Sequence, residues 1–223
     1  MTAIIFDFNG TMFFDEKFQE ISWKEFMEKK INRAITDEEF QTYIHGRNAS
    51  ETFEYFLGYP LSKEDIEQMA EEKEVVYRKL CLASKDFHLA PGLEELLDKL
   101  KEFKMPMTIA TASGWKNVQF FFQYLHLDRW FDIHQVIYND GKVAGKPAPD
   151  LFLNAAKVLE KDIHDCIIFE DSVSGIEAAK RAQAKRIVGV ASMSGQESLK
   201  NSGVTDIICD YTDQKEVLKI IKE

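Results

Sequence analysis

The sequence predicts an α/β fold: a Rossmann-like parallel sheet core flanked by helices, with an inserted all-helical cap. Three observations predict it. The chain opens on a short apolar run that ends in a carboxylate, Ala3-Ile4-Ile5-Phe6-Asp7. Residues 14–85 then carry helical periodicity with no strand signal, and from residue 90 onward strand and helix patterns alternate to the end. Such alternation implies parallel strands joined by crossover helices, so the helical block is an insertion after the first strand.

Taken in order, Ala3–Phe6 reads as a buried strand stopped by Asp7. In the cap, Trp23, Phe26 and Met27 form an apolar stripe among Lys24, Glu25 and Glu28, which reads as cap core. Further helices follow at Asp37–Tyr43, 50–57 and 62–82, the last opening with Ser62 and Asp65. Glu71, Glu72 and Glu74 read as a solvated helix face. After Ala90-Pro91-Gly92 come a helix at 93–103, a strand at 107–110 and a helix over Trp115–Leu125. Phe120, Phe121 and Phe122 cannot all face one side, so Phe121 and Phe122 are assigned with Val118 and Leu125 to the sheet. A strand at 135–138 runs into the turn Asn139-Asp140-Gly141. The remaining pattern is a helix at 149–159, a strand at 166–169, a helix over Val173–Ala182, strands over Arg186–Val190 and 206–209, and a closing helix at 214–221. The expected organisation is a core of residues 1–13 and 88–223 and a cap of residues 14–87, joined by linkers near 12–14 and 86–91. There is no internal repeat or low-complexity segment.

The 223 residues fit one large domain or a large one with a small one, at about 150 residues per domain. With 45% apolar, 30% charged and 12% aromatic residues, 17 of them Phe, the chain can bury a core and is not of a disordered type. Lys+Arg 28 against Asp+Glu 38 gives a net charge of -10, which disfavours nucleic acid as a partner. A phosphate must therefore be met locally, by a cation or by backbone amides. The N-terminus has no basic region, and its apolar run ends at Asp7, so neither a signal peptide nor a membrane partner is expected. Cys81, Cys166 and Cys209 are odd in number and form no CxxC pair, which fits buried thiols in a reducing cytoplasm. A monomer is the favoured state.

In open parallel sheets, ligands bind beyond the carboxyl ends of the strands. Four polar segments fall at such positions: Asp7-Phe8-Asn9-Gly10-Thr11, Thr111-Ala112-Ser113-Gly114, Lys146-Pro147-Ala148-Pro149 and Glu170-Asp171-Ser172. Each has a chemical reading. Asp7 can attack phosphorus and carry it as an aspartyl phosphate. Asp7 and Asp171, with Glu170, suit an oxygen-ligated Mg²⁺. Gly10 lets backbone approach a ligand, so the amides of Phe8 and Asn9 can meet phosphoryl oxygens. Thr111 adds a hydroxyl and Ala112 an amide at the following helix start. Lys146 supplies the positive charge that lets an anionic nucleophile meet an anionic phosphate. Ser172 and Ser174 read as helix caps rather than ligands.

These segments in this order resemble the haloacid dehalogenase superfamily, and within it the β-phosphoglucomutase-like phosphatase branch with a helical cap. The resemblance covers essentially the whole chain. Its most characteristic parts are Lys146-Pro147-Ala148-Pro149-Asp150 and Glu170-Asp171-Ser172 followed by Gly175-Ile176 and Ala178-Ala179. It implies Asp7 as nucleophile, Thr111 and Lys146 as holders of the transferring group, and Mg²⁺ held by Asp7, the Asn9 carbonyl and Asp171, with Glu170 adjacent. The implied activity is Mg²⁺-dependent hydrolysis of a small phosphorylated metabolite, with the cap opening and closing about its linkers.

One position departs from the pattern. The family's phosphatases carry a second Asp two residues after the nucleophile, as general acid and then base; here that residue is Asn9. An amide cannot exchange protons, and such assistance is typically about 10²–10⁴-fold. Three readings stand: a native Asn9 in a working phosphatase, a substitution that traps complexes, or a protein that binds phosphorylated ligands with little turnover. A sugar phosphomutase is a further alternative, but Gln19 stands where that branch places a His before Trp23, so hydrolase is favoured. In the cap, His45 and Arg47, of the segment His45-Gly46-Arg47-Asn48, and Lys73 are the candidates for reading the substrate. Arg47 is suited to a distal anion; for each of these, a turn or solvated residue is the competing reading.

Overall fold

A computed structural model of the chain describes residues 2–44, 47–192 and 199–223. It divides into two compact units, Met1–Phe14 with His88–Glu223, and Asp15–Phe87.

The first unit is built on a six-stranded, wholly parallel sheet: β1 (Ala3–Phe6), β2 (Met107–Gly114), β3 (Ile137–Asn139), β4 (Cys166–Glu170), β5 (Arg186–Val190) and β6 (Asp206–Ile208). Their order is β3-β2-β1-β4-β5-β6. β1 lies inside the sheet and all four of its residues are fully buried, as an all-apolar strand with helices over both faces must be. The chain leaves β1 to one side for β2 and β3, then resumes on the other side with β4. The gap between the carboxyl ends of β1 and β4 is thus the switch point of the sheet, where such folds hold ligands.

The second unit is helical, with α1 (Glu16–Ile31), α2 (Asp37–Tyr43), α3 (Ala49–Leu57) and α4 (Lys63–Ala83). Its starts are written in the sequence: Thr36 and Glu39 form a reciprocal capping box, and Asn48 and Ser62 cap α3 and α4. Phe26, Met27, Phe40, Phe53 and Met69 form its core, with Trp23 packed against them. In the first unit the sheet is flanked by α5 (Leu93–Glu102), α6 (Trp115–Leu125), α7 (Asp150–Val158), α8 (Val173–Ala182) and α9 (Gln214–Lys222). Leu151, Phe152 and Ala155 of α7 and Ile176, Ala178 and Ala179 of α8 share one buried cluster with Ile5 and Ile168. No helix among the described residues is long and apolar enough to cross a membrane.

Several local expectations are corrected. β2 extends to Gly114 rather than ending at residue 110, because its pairing with β3 continues past a register shift from Ala110↔Ile137 to Gly114↔Asn139. β3 begins at Ile137, since Gln135 belongs to a short 3-10 turn capped by Asp132. Phe121 and Phe122 are buried as expected, Phe121 stacking on Phe8 at 4.2 Å, while Phe120 is buried too and packs on Phe121 and Tyr124 of its own helix. Cys81 and Cys166 are buried but Cys209 is exposed. Glu71, Glu72 and Glu74 are not merely solvated, for each pairs with a cation (Arg78 at 2.7 Å, Lys30 at 2.8 Å and Lys73 at 3.0 Å).

Candidate active site

The parallel register that pairs Phe6 with Phe169 sets Asp7, just past β1, beside Glu170 at the end of β4, and the Asp7 amide donates to the Phe169 carbonyl at 2.9 Å. Asp171 follows directly. Oxygens of Asp7, Glu170 and Asp171 lie within 4.8 Å of one another. Lys146, in the loop before α7, reaches the same point: its Nζ donates to Asp7 Oδ1 and, at 2.6 Å, to Glu170 Oε2. Residues far apart in sequence thus converge because three chain segments end at one edge of the sheet.

Two glycines make this convergence possible. Gly10 has φ +77°, and a Cβ there would lie 2.1 Å from Asp171 Oδ2; Gly175, early in α8, would put one 2.0 Å from Glu170 Cδ. Only a residue without a side chain lets these carboxylates sit where they do. Hydrogen bonds then fix them. Ser172 donates to Glu170 Oε1 from its backbone N–H (3.1 Å) and hydroxyl (2.7 Å), and the same hydroxyl caps α8 by accepting from Gly175 N–H at 3.0 Å. Thr11 Oγ1 donates to Asp171 at 3.3 Å, and Ser192 donates to the Gly10 carbonyl at 2.7 Å. The capping part of this was expected of Ser172; its hold on Glu170, and the parts played by Ser192 and Tyr211 (which donates to the Thr11 carbonyl at 3.2 Å), were not. Nothing local marks Ser192 or Tyr211, which lie 182 and 200 residues from their partners.

The electrostatics follow from burial. Asp7 is 5% exposed, and its pKa is raised to about 7, first by loss of water, then by repulsion from Glu170, with Lys146 and the Phe8 N–H pulling the other way. For Lys146 burial opposes the charge, but Asp7 and Glu170 outweigh it and its pKa is raised. Three carboxylates against one ammonium leave the centre rich in negative charge and in oxygen donors. That donor set suits a hard divalent cation such as Mg²⁺, which would neutralise the excess and favour ionised Asp7.

The remaining candidates lie as follows. Thr111, in the second half of β2, is buried, and its Oγ1 accepts from the Ser113 N–H at 3.1 Å. Ala112 does not start a helix: β2 continues through it to Gly114, the N-cap of α6. Ser113, singled out by no pattern of its own, donates from Oγ to Asn9 Oδ1 at 2.8 Å and so ties the segment after β1 to that after β2. In the helical unit Lys73 is buried rather than solvated. It is 2% exposed, it donates to Gln19 Oε1 at 2.5 Å and to Glu74 at 3.0 Å, and it lies over the rings of Trp23 and Tyr77. Gln19 in turn donates to Asp15 at 3.0 Å, which also accepts from the Tyr77 hydroxyl at 2.7 Å. Arg47 is exposed, with its Nε donating to the Thr42 carbonyl at 3.3 Å. His45 lies outside the described residues.

A carboxylate–lysine centre at the switch point of a parallel sheet defines an α/β domain that can hold a cation and an anion side by side. The sequence matches the family described as haloacid dehalogenase-like hydrolase over residues 4–189, and the chain belongs to that family. It is 26% identical over 228 residues, covering 100% of this chain and 99% of the relative, to a phosphorylated carbohydrates phosphatase of Thermotoga maritima. It is 30% identical to the β-phosphoglucomutase of Bacillus subtilis, covering 82% of this chain and 80% of that protein. The crystal structure of a HAD hydrolase, family IA, variant 3, from Entamoeba histolytica superposes with a TM-score of 0.92 at 39% identity over 100% of both chains.

Proposed function

We propose that the protein is a Mg²⁺-dependent phosphohydrolase acting on a small phosphorylated metabolite through an aspartyl phosphate on Asp7. The observation that carries this reading is the buried contact of Lys146 with Asp7 and Glu170 beside Asp171, a nucleophile and a cation in one small acidic cluster. The names of the Thermotoga and Bacillus relatives, a phosphatase and a sugar-phosphate mutase, agree with phosphoryl chemistry.

In this reading Asp7, Glu170, Asp171 and the main-chain carbonyl of Asn9 hold Mg²⁺, which when bound supplies charge neutralisation at the phosphoryl oxygens. Lys146 turns its ammonium to the phosphoryl group, and Thr111 with the amides of Phe8, Asn9 and Ala112 completes the cradle. Asp7 Oδ attacks phosphorus as the bond to the leaving oxygen breaks; water then releases inorganic phosphate and restores the carboxylate. The mutase alternative is disfavoured by Gln19, whose amide is engaged by Asp15 and Lys73 and carries no base.

The test is phosphate release from a panel of acyl, aryl and alkyl phosphates with and without Mg²⁺, alongside mass spectrometry of the protein quenched in acid. Turnover that needs Mg²⁺, a phosphoryl adduct on Asp7, and loss of both in Asp7→Asn are the expected results. Tight ligand binding with no turnover in any arm would instead make this a phosphoryl-ligand-binding protein.

A further inference from the structure

We propose that this site acts on phosphoryl compounds whose leaving group departs as a stable anion (acyl, enol or aryl phosphates and phosphoric anhydrides) and not on esters of ordinary alcohols. The inference rests on the phosphatase reading above and narrows its substrate class.

The argument is an inventory of proton donors. An alkoxide is a poor leaving group unless an acid protonates it as the P–O bond breaks. At the carboxyl edge of the sheet, Asp7 is committed to attack, and Glu170 and Asp171 to the cation. Lys146 is held between Asp7 and Glu170, and its ammonium is needed at the phosphoryl oxygens. Asn9 is an amide whose Oδ1 accepts from Ser113, so it can orient a departing oxygen by hydrogen bonding but has no proton to surrender. Thr11, Thr111, Ser113 and Ser172 offer only hydroxyls. Tyr211 is fully buried with its hydroxyl spent on the Thr11 carbonyl.

Histidine does not fill the gap in the core unit. His134 lies in the turn before β3 and His164 in the turn before β4, while His126 follows the last residue of α6; all three stand at the opposite edge. His88 is exposed, and its Nδ1 meets the Leu89 carbonyl at 2.8 Å. Among the described residues of the core, then, none of the carboxylates, hydroxyls or histidines named above is placed to protonate a leaving oxygen.

The balanced reaction needs none when the leaving group is already stable as an anion. Asp7 Oδ forms a bond to phosphorus, the P–O bond breaks, and its electron pair leaves with a carboxylate, enolate, phenolate or phosphate. Water then adds to phosphorus, the bond to Asp7 breaks, and the protons of that water stay on the inorganic phosphate.

The experiment measures kcat/KM of the Mg²⁺-loaded wild type for acetyl phosphate, a series of aryl phosphates of increasing phenol pKa, and glycerol phosphate, and repeats it with Asn9→Asp. The wild type should fall steeply along the series and leave glycerol phosphate at least about 10²-fold below acetyl phosphate, the lower bound of what a general acid supplies. Asn9→Asp should raise the ratio of alkyl-ester to acetyl phosphate turnover by about 10²–10⁴-fold, because only the former lacks a proton donor. Wild-type glycerol phosphate turnover within tenfold of acetyl phosphate would overturn the inference and leave the phosphatase reading standing. No turnover of any compound by either protein would overturn both. The wild-type series decides the matter even where the variant fails to fold.

Discussion

Replacing Gly175 with Ala tests whether the clustered carboxylates proposed to hold the metal depend on a missing side chain. The new methyl would lie 2.0 Å from Glu170 Cδ and 2.2 and 2.3 Å from its two oxygens, so the carboxylate must move by more than an ångström. Glu170 is 1% exposed, and its oxygens are held by Lys146 and by two donors of Ser172. Breaking one hydrogen bond to that charge costs about 1.5–3 kcal/mol. Overpacking the site adds about 1–3 kcal/mol. Against this, Ala is the better helix former by about 1 kcal/mol. The net loss is therefore about 1.5–5 kcal/mol, read as a fall in the urea midpoint at unchanged slope. Gly145→Ala is the control: nothing lies within 4 Å of its Cβ, and it should stay within about 0.5 kcal/mol of wild type. A second readout is Mg²⁺ affinity by calorimetry, which should drop in Gly175→Ala alone. A Gly175→Ala protein as stable as the control, with undiminished Mg²⁺ affinity, refutes the reasoning.

Three other outcomes are expected. Lys146→Met leaves Asp7 and Glu170 buried without their cation and should cost about 3–5 kcal/mol at neutral pH in urea titrations; because it drives the carboxyl pKa further up, the defect should shrink toward pH 5, and a pH-independent defect would contradict it. In the wild type, Asp7 has a folded pKa of about 7 against 3.8, so the stability it contributes is full below about pH 4 and is lost as pH rises to about 7. On the proposed reading Mg²⁺ would bind the ionised form, so its stabilisation in a thermal melt should be larger at pH 8 than at pH 6; equal shifts would count against Asp7 as a ligand. Finally, burial pushes the Cys81 thiol up to about 12 and Cys166 to about 11, while Cys209 is exposed. A thiol reagent should therefore modify Cys209 rapidly and the other two only in denaturant; rapid reaction of a second thiol in the native protein would show that the burial is wrong.

What the sequence disclosed and what it withheld divide along a physical line. The apolar run of β1, the opening of the long cap helix at Ser62, and the alternation after residue 90 are local, and all correspond to elements of the structure. The four polar segments at strand ends could be listed because each sits next to an element with a clear pattern. The far end of β2 was misjudged because its last residues are held by a shifted pairing with β3, a non-local contact. The surroundings of Lys73 were hidden for the same reason. A lysine in an acidic helix reads as surface, and only the fold brings Gln19, Trp23 and Tyr77 around it. Ser113 was visible as a letter beside Thr111, yet its bond to Asn9 spans 104 residues.

That bond bears on why an amide can stand at position 9 at all. Among the described residues the cluster holds three carboxylates against Lys146, and burial first, then repulsion from Glu170, raises the Asp7 pKa to about 7. A fourth carboxylate two residues from Asp7 would add like charge to a buried site and push the Asp7 pKa higher still. Asn9 keeps the acceptor oxygen that Ser113 uses and the main-chain carbonyl proposed for the cation, and it sheds the charge. The proton donor is what the substitution gives up. On the proposed substrate class a leaving group that departs without a proton offsets the loss of the acid, though not of the base that would activate water, which links the acidity of the site to the nature of its leaving group.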